Sequence, residues 1–203
     1  MADNPLLHVS RETLARLEIY AALLEKWTKK INLIAPGTVA SLWDRHIWDS
    51  AQVFEAAGVD TGLWADLGSG GGLPGAVVAI MAAERAPKLE VVCVESDRRK
   101  AVFLDAVSRE TGVPFQVLAQ RVEHVPPLGA AVLSARALAP LDVLLSHAER
   151  HLAPDGVALF QKGARHEKEK REAEKNWRFT CRAVTSCTDP DAVIYKVGVP
   201  RRA

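Results

Sequence analysis

Apolar residues along the chain follow two alternating patterns, which together predict an α/β fold. From residue 63 onward, short apolar runs typical of buried strands alternate with longer segments whose apolar residues recur at helical spacing. The runs predict strands at residues 63–68, 89–95, 114–119, 130–135 and 156–161, and the longer segments predict helices at 74–85, 97–110 and 141–152. This order favours a mostly parallel sheet that is covered by helices on both faces.

The two ends of the chain follow other patterns. Ser10 is suited to cap a helix that reaches residue 30, and a second helix is expected at residues 39–57, with Gly58 as its stop. After residue 161, a charged helix at 162–177 leads to strands at 179–187 and 192–199, which favour a closing antiparallel hairpin. We expect one domain, in which residues 1–60 form a helical cap on a core at 61–203.

Composition and charge narrow the classes of function. A chain of 203 residues, 48% of them hydrophobic, can bury one core, and its net charge of +1 leaves only local patches for any contact with nucleic acid. The three cysteines form no Cys-x-x-Cys pair, which is typical of reduced thiols in a cytoplasmic protein. The N-terminal sequence does not resemble a signal peptide, and the longest strongly apolar window, residues 76–83, is too short to span a bilayer.

A glycine-rich segment follows the first predicted strand. In the sequence WADLGSGGGLPGAVVAI, at residues 64–80, five glycines fall between Asp66 and Gly75. Ligands of open α/β sheets bind beyond the carboxyl ends of the strands, and glycine lets a backbone approach such a ligand closely. Glu95 ends the next strand, twenty residues past Gly75, where a carboxylate can accept hydrogen bonds from the ribose hydroxyls of an adenosine ligand.

Asp66 bears on which adenosine ligand the loop holds. Gly70, Gly72 and Gly75 spell G-x-G-x-x-G, which alone is weak evidence for a dinucleotide. A carboxylate directly before the loop would repel a pyrophosphate, whereas S-adenosylmethionine carries an ammonium and a sulfonium and no phosphate. The segment therefore favours S-adenosylmethionine, with Asp66 and Gly70 among its contacts. One alternative is another nucleotide. The other is a purely structural turn, with Glu95 as a solvated strand end.

Several short segments together resemble one protein family. They are DLGSGGGLPG at 66–75, RHIWDS at 45–50, QRVE at 120–123, SARAL at 134–138 and QKG at 161–163. In this order and spacing they resemble the bacterial small-subunit ribosomal RNA methyltransferase G family (RsmG, also called glucose-inhibited division protein B). The segment KWTKKINLIA is also similar, with Thr28 where many members have Asn. The resemblance covers residues 27–163.

The resemblance implies a Rossmann-like fold and a function. The family transfers a methyl group from S-adenosylmethionine to N7 of a guanine in the 530 loop of 16S rRNA, so the implied partner is 16S rRNA or an assembling small subunit. Carried over by motif, the cofactor contacts are Gly68, Leu73, Val122, Glu123 and Arg136. Arg136 suits the methionine carboxylate or the RNA equally, and a surface salt bridge is its alternative.

The remaining candidate residues concern the substrate. His46 and Asp49 lie three residues apart on one predicted helix face, where they would touch the substrate base, shape the cofactor entrance, or only cap or pair within the N-terminal helices. Arg45, Lys162 and Arg165 are candidate RNA contacts. Trp27, Trp43 and Trp48 would stack bases or, as we favour, belong to the core. Guanine N7 carries a free lone pair, so no general base is predicted, and no metal site is predicted either.

Other functions are compatible with parts of this pattern. A methyltransferase that acts on another RNA, a small molecule or a protein is the first alternative, since the net charge is nearly neutral. An NAD-dependent oxidoreductase is disfavoured by Asp66 and by the lack of a Tyr-x-x-x-Lys set, and a nucleotide-binding module without turnover is the third class. The protein is expected to be a monomer with no membrane contact.

Overall fold

The protein has a seven-stranded, mostly parallel sheet. In the computed structural model, which describes residues 9–203, the strand order is β3-β2-β1-β4-β5-β8-β7. The expectation about a signal peptide falls largely on residues 1–8, outside the described part. The strands are β1 (Thr61–Leu67), β2 (Lys88–Val94), β3 (Gln116–Leu118), β4 (Ala130–Arg136), β5 (Leu152–Lys162), β6 (Trp177–Arg178), β7 (Cys181–Thr185), β8 (Val193–Gly198) and β9 (Arg201–Arg202).

The sheet topology confirms the predicted parallel core and closing hairpin. β1 pairs in parallel with both β2 and β4, so strand order reverses at β1 and the glycine-rich segment leaves the sheet at this switch point. β8 is antiparallel to β5 and to β7, as the sequence predicted for the C-terminal hairpin. The two-residue strands β6 and β9 form a separate small sheet that was not predicted, because two residues are too few to give a periodic signal.

Six α-helices accompany the strands in the described residues. They are α1 (Arg11–Thr28), α2 (Asp49–Ala57), α3 (Gly75–Arg85), α4 (Arg98–Thr111), α5 (Leu141–His151) and α6 (His166–Ala173). Ser10 caps α1 by accepting a hydrogen bond from the Thr13 N–H at 3.1 Å, and Asp97 caps α4 through the Arg99 N–H at 2.8 Å. Gly58 ends α2 in the left-handed region, with φ of 65°, as predicted.

The helix predicted at residues 39–57 is divided in the structure. A 3-10 helix (Pro36–Ser41) comes first, a π-helical segment (Trp43–Trp48) follows, and only then does α2 begin. The π-helical segment carries Arg45 and His46. The Arg45 carbonyl and the His46 ring both contact the Arg136 side chain of β4, so a tertiary contact accompanies the departure from regular helix. The predicted charged helix is also shorter, because β5 continues to Lys162 and β6 begins at Trp177.

Two apolar clusters cover the two faces of the sheet. In the first cluster, helices α1, α2, α3 and α4 pack on one face of the sheet, and in the second, α5 packs on the opposite face. Trp64 of β1 belongs to the first cluster and its neighbour Ala65 to the second. Trp27, Trp43 and Trp48 pack against the first cluster, which confirms their assignment to the core. No helix within residues 9–203 is both long and apolar enough to cross a membrane.

Candidate active site

The glycine-rich loop begins where β1 ends and is tied to β2. The N–H groups of Gly68 and Ser69 both donate to the Val94 carbonyl, at 2.8 and 3.1 Å. Gly70, with φ of 56°, faces open space, since a Cβ built there would meet nothing nearer than the Gly68 oxygen at 3.8 Å. Gly72 is packed instead, because a Cβ there would lie 2.7 Å from the Ala76 Cβ. The loop thus presents Gly68 and Gly70 as its partly exposed backbone.

Asp66 supports this loop from below. Its side chain is fully buried, and its carboxylate accepts hydrogen bonds from the Gly75 N–H at 3.1 Å and the Ser134 hydroxyl at 2.7 Å. Burial raises the pKa of Asp66 to about 6. In the structure Asp66 fixes the start of α3 against β4, and its contact with the cofactor stays a prediction.

Glu95 lies at the edge of the open side. One carboxylate oxygen accepts the Gly70 N–H at 2.8 Å and the other accepts the Asp97 N–H at 2.7 Å, so the side chain joins the loop to the start of α4. Each oxygen keeps a lone pair free. This carboxylate is held in place beside the glycine backbone at Gly70. It is therefore suited to accept hydrogen bonds from the ribose hydroxyls of an adenosine ligand.

The other predicted cofactor residues occupy the surroundings of this edge. Val122 and Glu123 form a 3-10 turn just after β3, which lies beside β2; Val122 is buried and Glu123 is exposed. Leu73 is only 8% exposed and packs in the first apolar cluster. The structure therefore brings Gly68, Gly70 and Glu95 together, with Val122 and Glu123 at the neighbouring strand end. The contacts of Leu73, Val122 and Glu123 with a cofactor stay predictions.

Arg136, at the end of β4, is held by the predicted helix residues. Its guanidinium lies 3.2 Å from the Asp49 carboxylate and donates to the His46 Nδ1 at 2.8 Å and the Arg45 carbonyl at 3.3 Å. Arg136 and Asp49 are both mostly buried, with side chains 22% and 17% exposed. The structure therefore joins the RHIWDS and SARAL segments, which are far apart in the sequence, through one ion pair.

Asp49 also accepts hydrogen bonds from side chains of α2 and of the C-terminal half of the chain. Its Oδ2 accepts the Gln161 amide at 2.6 Å, and its Oδ1 accepts the Gln52 amide at 2.7 Å and the Thr188 hydroxyl at 3.1 Å. We call Asp49, Arg136, His46, Gln161, Gln52 and Thr188 the Asp49 cluster. These contacts of Asp49 all lie inside the protein and give it a positioning role, while its contact with the substrate stays a prediction.

His46 is a neutral acceptor in this cluster. Burial, together with the charges of Arg136 and Arg45, lowers the pKa of His46 to about 4. Because an arginine only donates, Nδ1 must accept from Arg136, which leaves the proton on Nε2, 2.7 Å from the Thr38 hydroxyl. Both nitrogens of His46 are thus bonded inside the protein and the residue is 6% exposed, while its contact with the substrate stays a prediction.

A cleft of about 720 Å³ opens beside the Asp49 cluster. It lies between the ends of β4 and β5, the first turns of α5 and α6, and the β7–β8 turn, with Arg45, Arg136, Leu138, Arg165, Lys168 and Thr188 among its lining residues. Arg45 and Arg165 are exposed there, as expected of RNA contacts. Lys162 is more buried: its side chain is 9% exposed, and its ammonium contacts Glu169 at 2.6 Å and the Ala139 carbonyl at 2.9 Å. Its contact with RNA stays a prediction.

Sequence reasoning missed several residues that hold the site. Ser134 and Gln161 lie inside recognised motifs but were not singled out, and they could have been found there. Thr188, Ser186 and Gln52 carry no local signal, because only the fold brings the hairpin turn to α2. No group of His, Cys, Asp and Glu side chains in the described part of the chain could hold a metal ion, and the cysteines Cys93, Cys181 and Cys187 are free thiols.

Comparisons with known proteins agree with the geometry. Residues 13–193 match the family model GidB, described as rRNA small subunit methyltransferase G. Relatives of that name include a protein of Ruegeria pomeroyi, 52% identical over 98% of each chain, and one of Paracoccus denitrificans, 48% identical over 97% of this chain and 100% of its own length.

Solved structures of low identity share the fold. A ribosomal protein L11 methylase from Lactobacillus delbrueckii has a TM-score of 0.60 at 15% identity, covering 76% of this chain and 78% of its own. M. jannaschii TYW2 in complex with AdoMet has a TM-score of 0.57 at 12% identity, covering 87% and 80%. Because the family model matches nearly the whole chain and relatives of about half identity span it, this protein belongs to the rRNA small subunit methyltransferase G family.

Proposed function

We propose that this protein transfers a methyl group from S-adenosylmethionine to N7 of a guanine in the 530 loop of 16S rRNA. Family membership over nearly the whole chain makes it a small-subunit rRNA methyltransferase with S-adenosylmethionine as its cofactor. The observation that carries the proposal is the match of residues 13–193 to the family model, and the ion pair of Asp49 with Arg136 joins two of the family motifs beside the cleft. The base and the position on it are inferred from the family resemblance.

The chain offers a fitting place for each part of the cofactor. The partly exposed backbone of Gly68 and Gly70 would receive the methionine end, and Glu95 would accept the ribose hydroxyls through its free lone pairs. The turn at Val122 and Glu123 would meet the adenine edge, since it lies beyond β3 on the same side. Leu73 would pack under the loop. When bound, S-adenosylmethionine supplies a methyl group on a positively charged sulfur.

The substrate side needs positioning more than acid–base chemistry. Guanine N7 already holds the lone pair that accepts the methyl group, so the protein need not remove a proton. His46 is consistent with this, because both of its ring nitrogens are engaged inside the Asp49 cluster. Arg136, Arg45 and Arg165 would hold RNA phosphates along the cleft and thereby place the base near the end of β1.

We infer that the chain works as one domain, with residues 1–60 as a helical cap on a core at 61–203. α1 supports this view, because the Tyr20 hydroxyl donates to the Gly71 carbonyl at 2.6 Å and Trp27 packs on Phe103 of α4, with ring centroids 5.5 Å apart. The cap thus braces the cofactor loop. We also propose that the protein acts as a cytoplasmic monomer on 16S rRNA or an assembling small subunit.

Analysis of rRNA from cells that lack the protein tests the proposal. Mass spectrometry of 16S rRNA fragments should find the 530-loop guanine unmethylated in these cells, and methylated again when the intact chain is supplied. Purified protein with S-adenosylmethionine should add one methyl group to rRNA from the same cells. Persistence of N7-methylguanine in the 530 loop of the deleted cells would refute the guanine assignment. Methylation at another atom or another base would retain the methyltransferase and discard N7.

A further inference from the structure

Leu138 lies between the two halves of the proposed site. A Cβ built on Gly68 would be 2.5 Å from Leu138 Cδ1, so this methyl group lies directly on the bare face of the cofactor loop. Leu138 also lines the cleft of about 720 Å³ on its other side. A single side chain therefore borders both the place of the methyl donor and the place of the acceptor.

The exposure of Leu138 is unusual for its surroundings. The structure shows five large apolar side chains exposed within residues 9–203, and of these Leu138 alone lines the cleft, at 36% exposed. Around it the cleft carries arginine, lysine and carboxylate side chains, among them Arg45, Arg165 and Glu172. An exposed apolar group amid charges gains nothing from water, and a partner with a flat apolar face would bury it.

The backbone that carries Leu138 is held in an uncommon conformation. Ala137 has φ of 52° and is the one residue other than glycine with positive φ in the described part of the chain. Both sides of it are fixed: Arg136 by the Asp49 cluster, and the Ala139 carbonyl by the Lys162 ammonium at 2.9 Å. Such a conformation persists only where its neighbours impose it, and here it determines where the next side chain points.

We propose that Leu138 packs against the flat face of the acceptor guanine and aligns the base with the methyl group. This inference rests on the proposed function and adds a substrate contact to it. The ring of a purine is planar and apolar on its faces, so it suits a leucine side chain that cannot hydrogen-bond. A base held on Leu138 lies next to Gly68, at the start of the loop that is proposed to receive the methionine end of the cofactor.

The experiment compares Leu138→Ala and Leu138→Met with Val143→Ala. Val143 is a matched control, because it is an apolar residue on α5 with 41% exposure and does not line the cleft. On rRNA from cells lacking the protein, Leu138→Ala should lower kcat about tenfold, because misplaced reacting atoms slow the transfer step. Leu138→Met should keep at least half of kcat, and Val143→Ala should behave as the unmodified protein does. Affinity for S-adenosylmethionine, measured by calorimetry, should stay within about twofold in all three.

Two outcomes would overturn the inference. If kcat of Leu138→Ala stays within about twofold, the side chain does not align the base. If Leu138→Ala weakens S-adenosylmethionine binding more than about tenfold and saturating cofactor restores kcat, Leu138 belongs to the cofactor wall. Failure of the proposed function is distinguishable, because then the unmodified protein itself would add no methyl group to the guanine. Urea midpoints of the three variants verify that each is folded.

Discussion

Asp49 and Arg136 illustrate how contacts inside the protein can assemble a site from distant segments of the chain. The carboxylate neutralises a mostly buried guanidinium and accepts hydrogen bonds from four further side chains, so its charge matters more than its shape. Removal of one partner from such a pair leaves an uncompensated charge. The pair is therefore where a small chemical change should have the largest effect.

Asp49→Asn should impair both folding and turnover. The amide keeps the size of the side chain but loses the charge, and its NH2 group would face the Gln161, Gln52 or Thr188 donors. We expect a loss of about 2 kcal/mol in the free energy of unfolding and at least about a tenfold lower kcat/KM for rRNA. Urea unfolding and a methyl-transfer assay measure the two effects.

Glu55→Gln is the matched control for this prediction. It disrupts an ion pair with Arg85 in which both side chains are about a third exposed, and such surface pairs contribute about 0.5 kcal/mol. Equal effects of Asp49→Asn and Glu55→Gln would mean that the Asp49 cluster is only another surface contact.

Glu95 is a second residue whose role can be isolated. Glu95→Ala removes the acceptor of the Gly70 and Asp97 N–H groups and the proposed contact with ribose, so S-adenosylmethionine affinity should fall at least about tenfold by calorimetry. Glu90→Ala, at an exposed position of the same strand, should leave the affinity unchanged. An unchanged affinity of Glu95→Ala would remove Glu95 from the cofactor site.

At the scale of elements, α6 forms one wall of the cleft, and its Glu169 joins it to two neighbouring elements. Glu169 accepts the Leu141 N–H at the start of α5, at 3.0 Å, and contacts the Lys162 ammonium at 2.6 Å. It thereby joins α6, α5 and β5. A helix with mixed charges and one buried residue, Ala173, has little apolar surface to hold it in place, so this polar junction should determine its docking.

Glu169→Gln should therefore loosen α6. Lys162, whose side chain is 9% exposed, would lose its counter-charge, and we expect about 2 kcal/mol less stability against urea. Glu174→Gln is the control, because Glu174 lies on the solvent side next to the end of α6 and its contact with Lys170 is 3.8 Å. Faster proteolysis within residues 163–176 of Glu169→Gln would confirm that the helix, rather than the core, has loosened. Equal urea midpoints for the two variants would contradict the role of Glu169.

The sequence predicted those elements whose ends are specified locally. Ser10, Asp97 and Gly58 mark helix ends with their own side chains or backbone, and the structure has helices beginning and ending there. Residues 39–48 were mispredicted as part of a regular helix, because their geometry accompanies contacts with Arg136, ninety residues away. Helix caps can be predicted from neighbouring residues in the sequence, whereas a hydrogen bond between distant segments cannot.

The site was predictable to the same extent. Gly68, Gly70 and Glu95 follow from position at strand ends, since parallel strands bring their carboxyl ends to one edge. Asp66, His46 and Lys162 were assigned outward roles although their polar groups are bonded inside the protein, because sequence gives a residue's type and not its depth. The β7–β8 turn was not included in the predicted site, because its sequence carries no recognisable motif.

At the scale of the whole molecule, a net charge of +1 means that RNA binding depends on where cations are placed. Arg45 and Arg165 are exposed at the cleft, so each should release counterions when it meets a phosphate. Arg45→Gln and Arg165→Gln should each reduce the slope of log affinity against log salt by about 0.7 to 0.9. Filter binding to 16S rRNA over a salt series measures the slope.

Lys88→Gln provides the comparison for the salt series. Lys88 is exposed at the amino end of β2, on the opposite edge of the sheet from the cleft. Its slope should equal that of the unmodified protein. If all three variants share one slope, RNA does not run through the cleft.

Acid should destabilise the whole fold through its buried histidines. Burial lowers the pKa of both His46 and His151 to about 4, against 6.5 for an exposed imidazole. Between pH 6.5 and 4 the unfolded chain therefore binds protons that the folded chain does not, and stability falls as pH falls. Asp66 acts in the opposite sense, because burial raises its pKa to about 6 and the folded chain takes up that proton first. Burial also lowers the pKa of His147, so three histidines against one aspartate leave a net loss of stability on the acid side.

His151→Leu should isolate one of these contributions, because His151 is fully buried in α5 and no hydrogen-bond partner satisfies its ring nitrogens. Leucine binds no proton, so between pH 6.5 and 4 the free energy of unfolding should fall less steeply with falling pH than in the unmodified protein. The two slopes should differ by about 1.4 kcal/mol per pH unit. Urea titrations at half-unit pH intervals measure both slopes. His124→Leu, at an exposed position, is the control and should keep the original slope. If His151→Leu also keeps it, the acid sensitivity does not arise from this imidazole, and His46 in the Asp49 cluster becomes the residue to substitute.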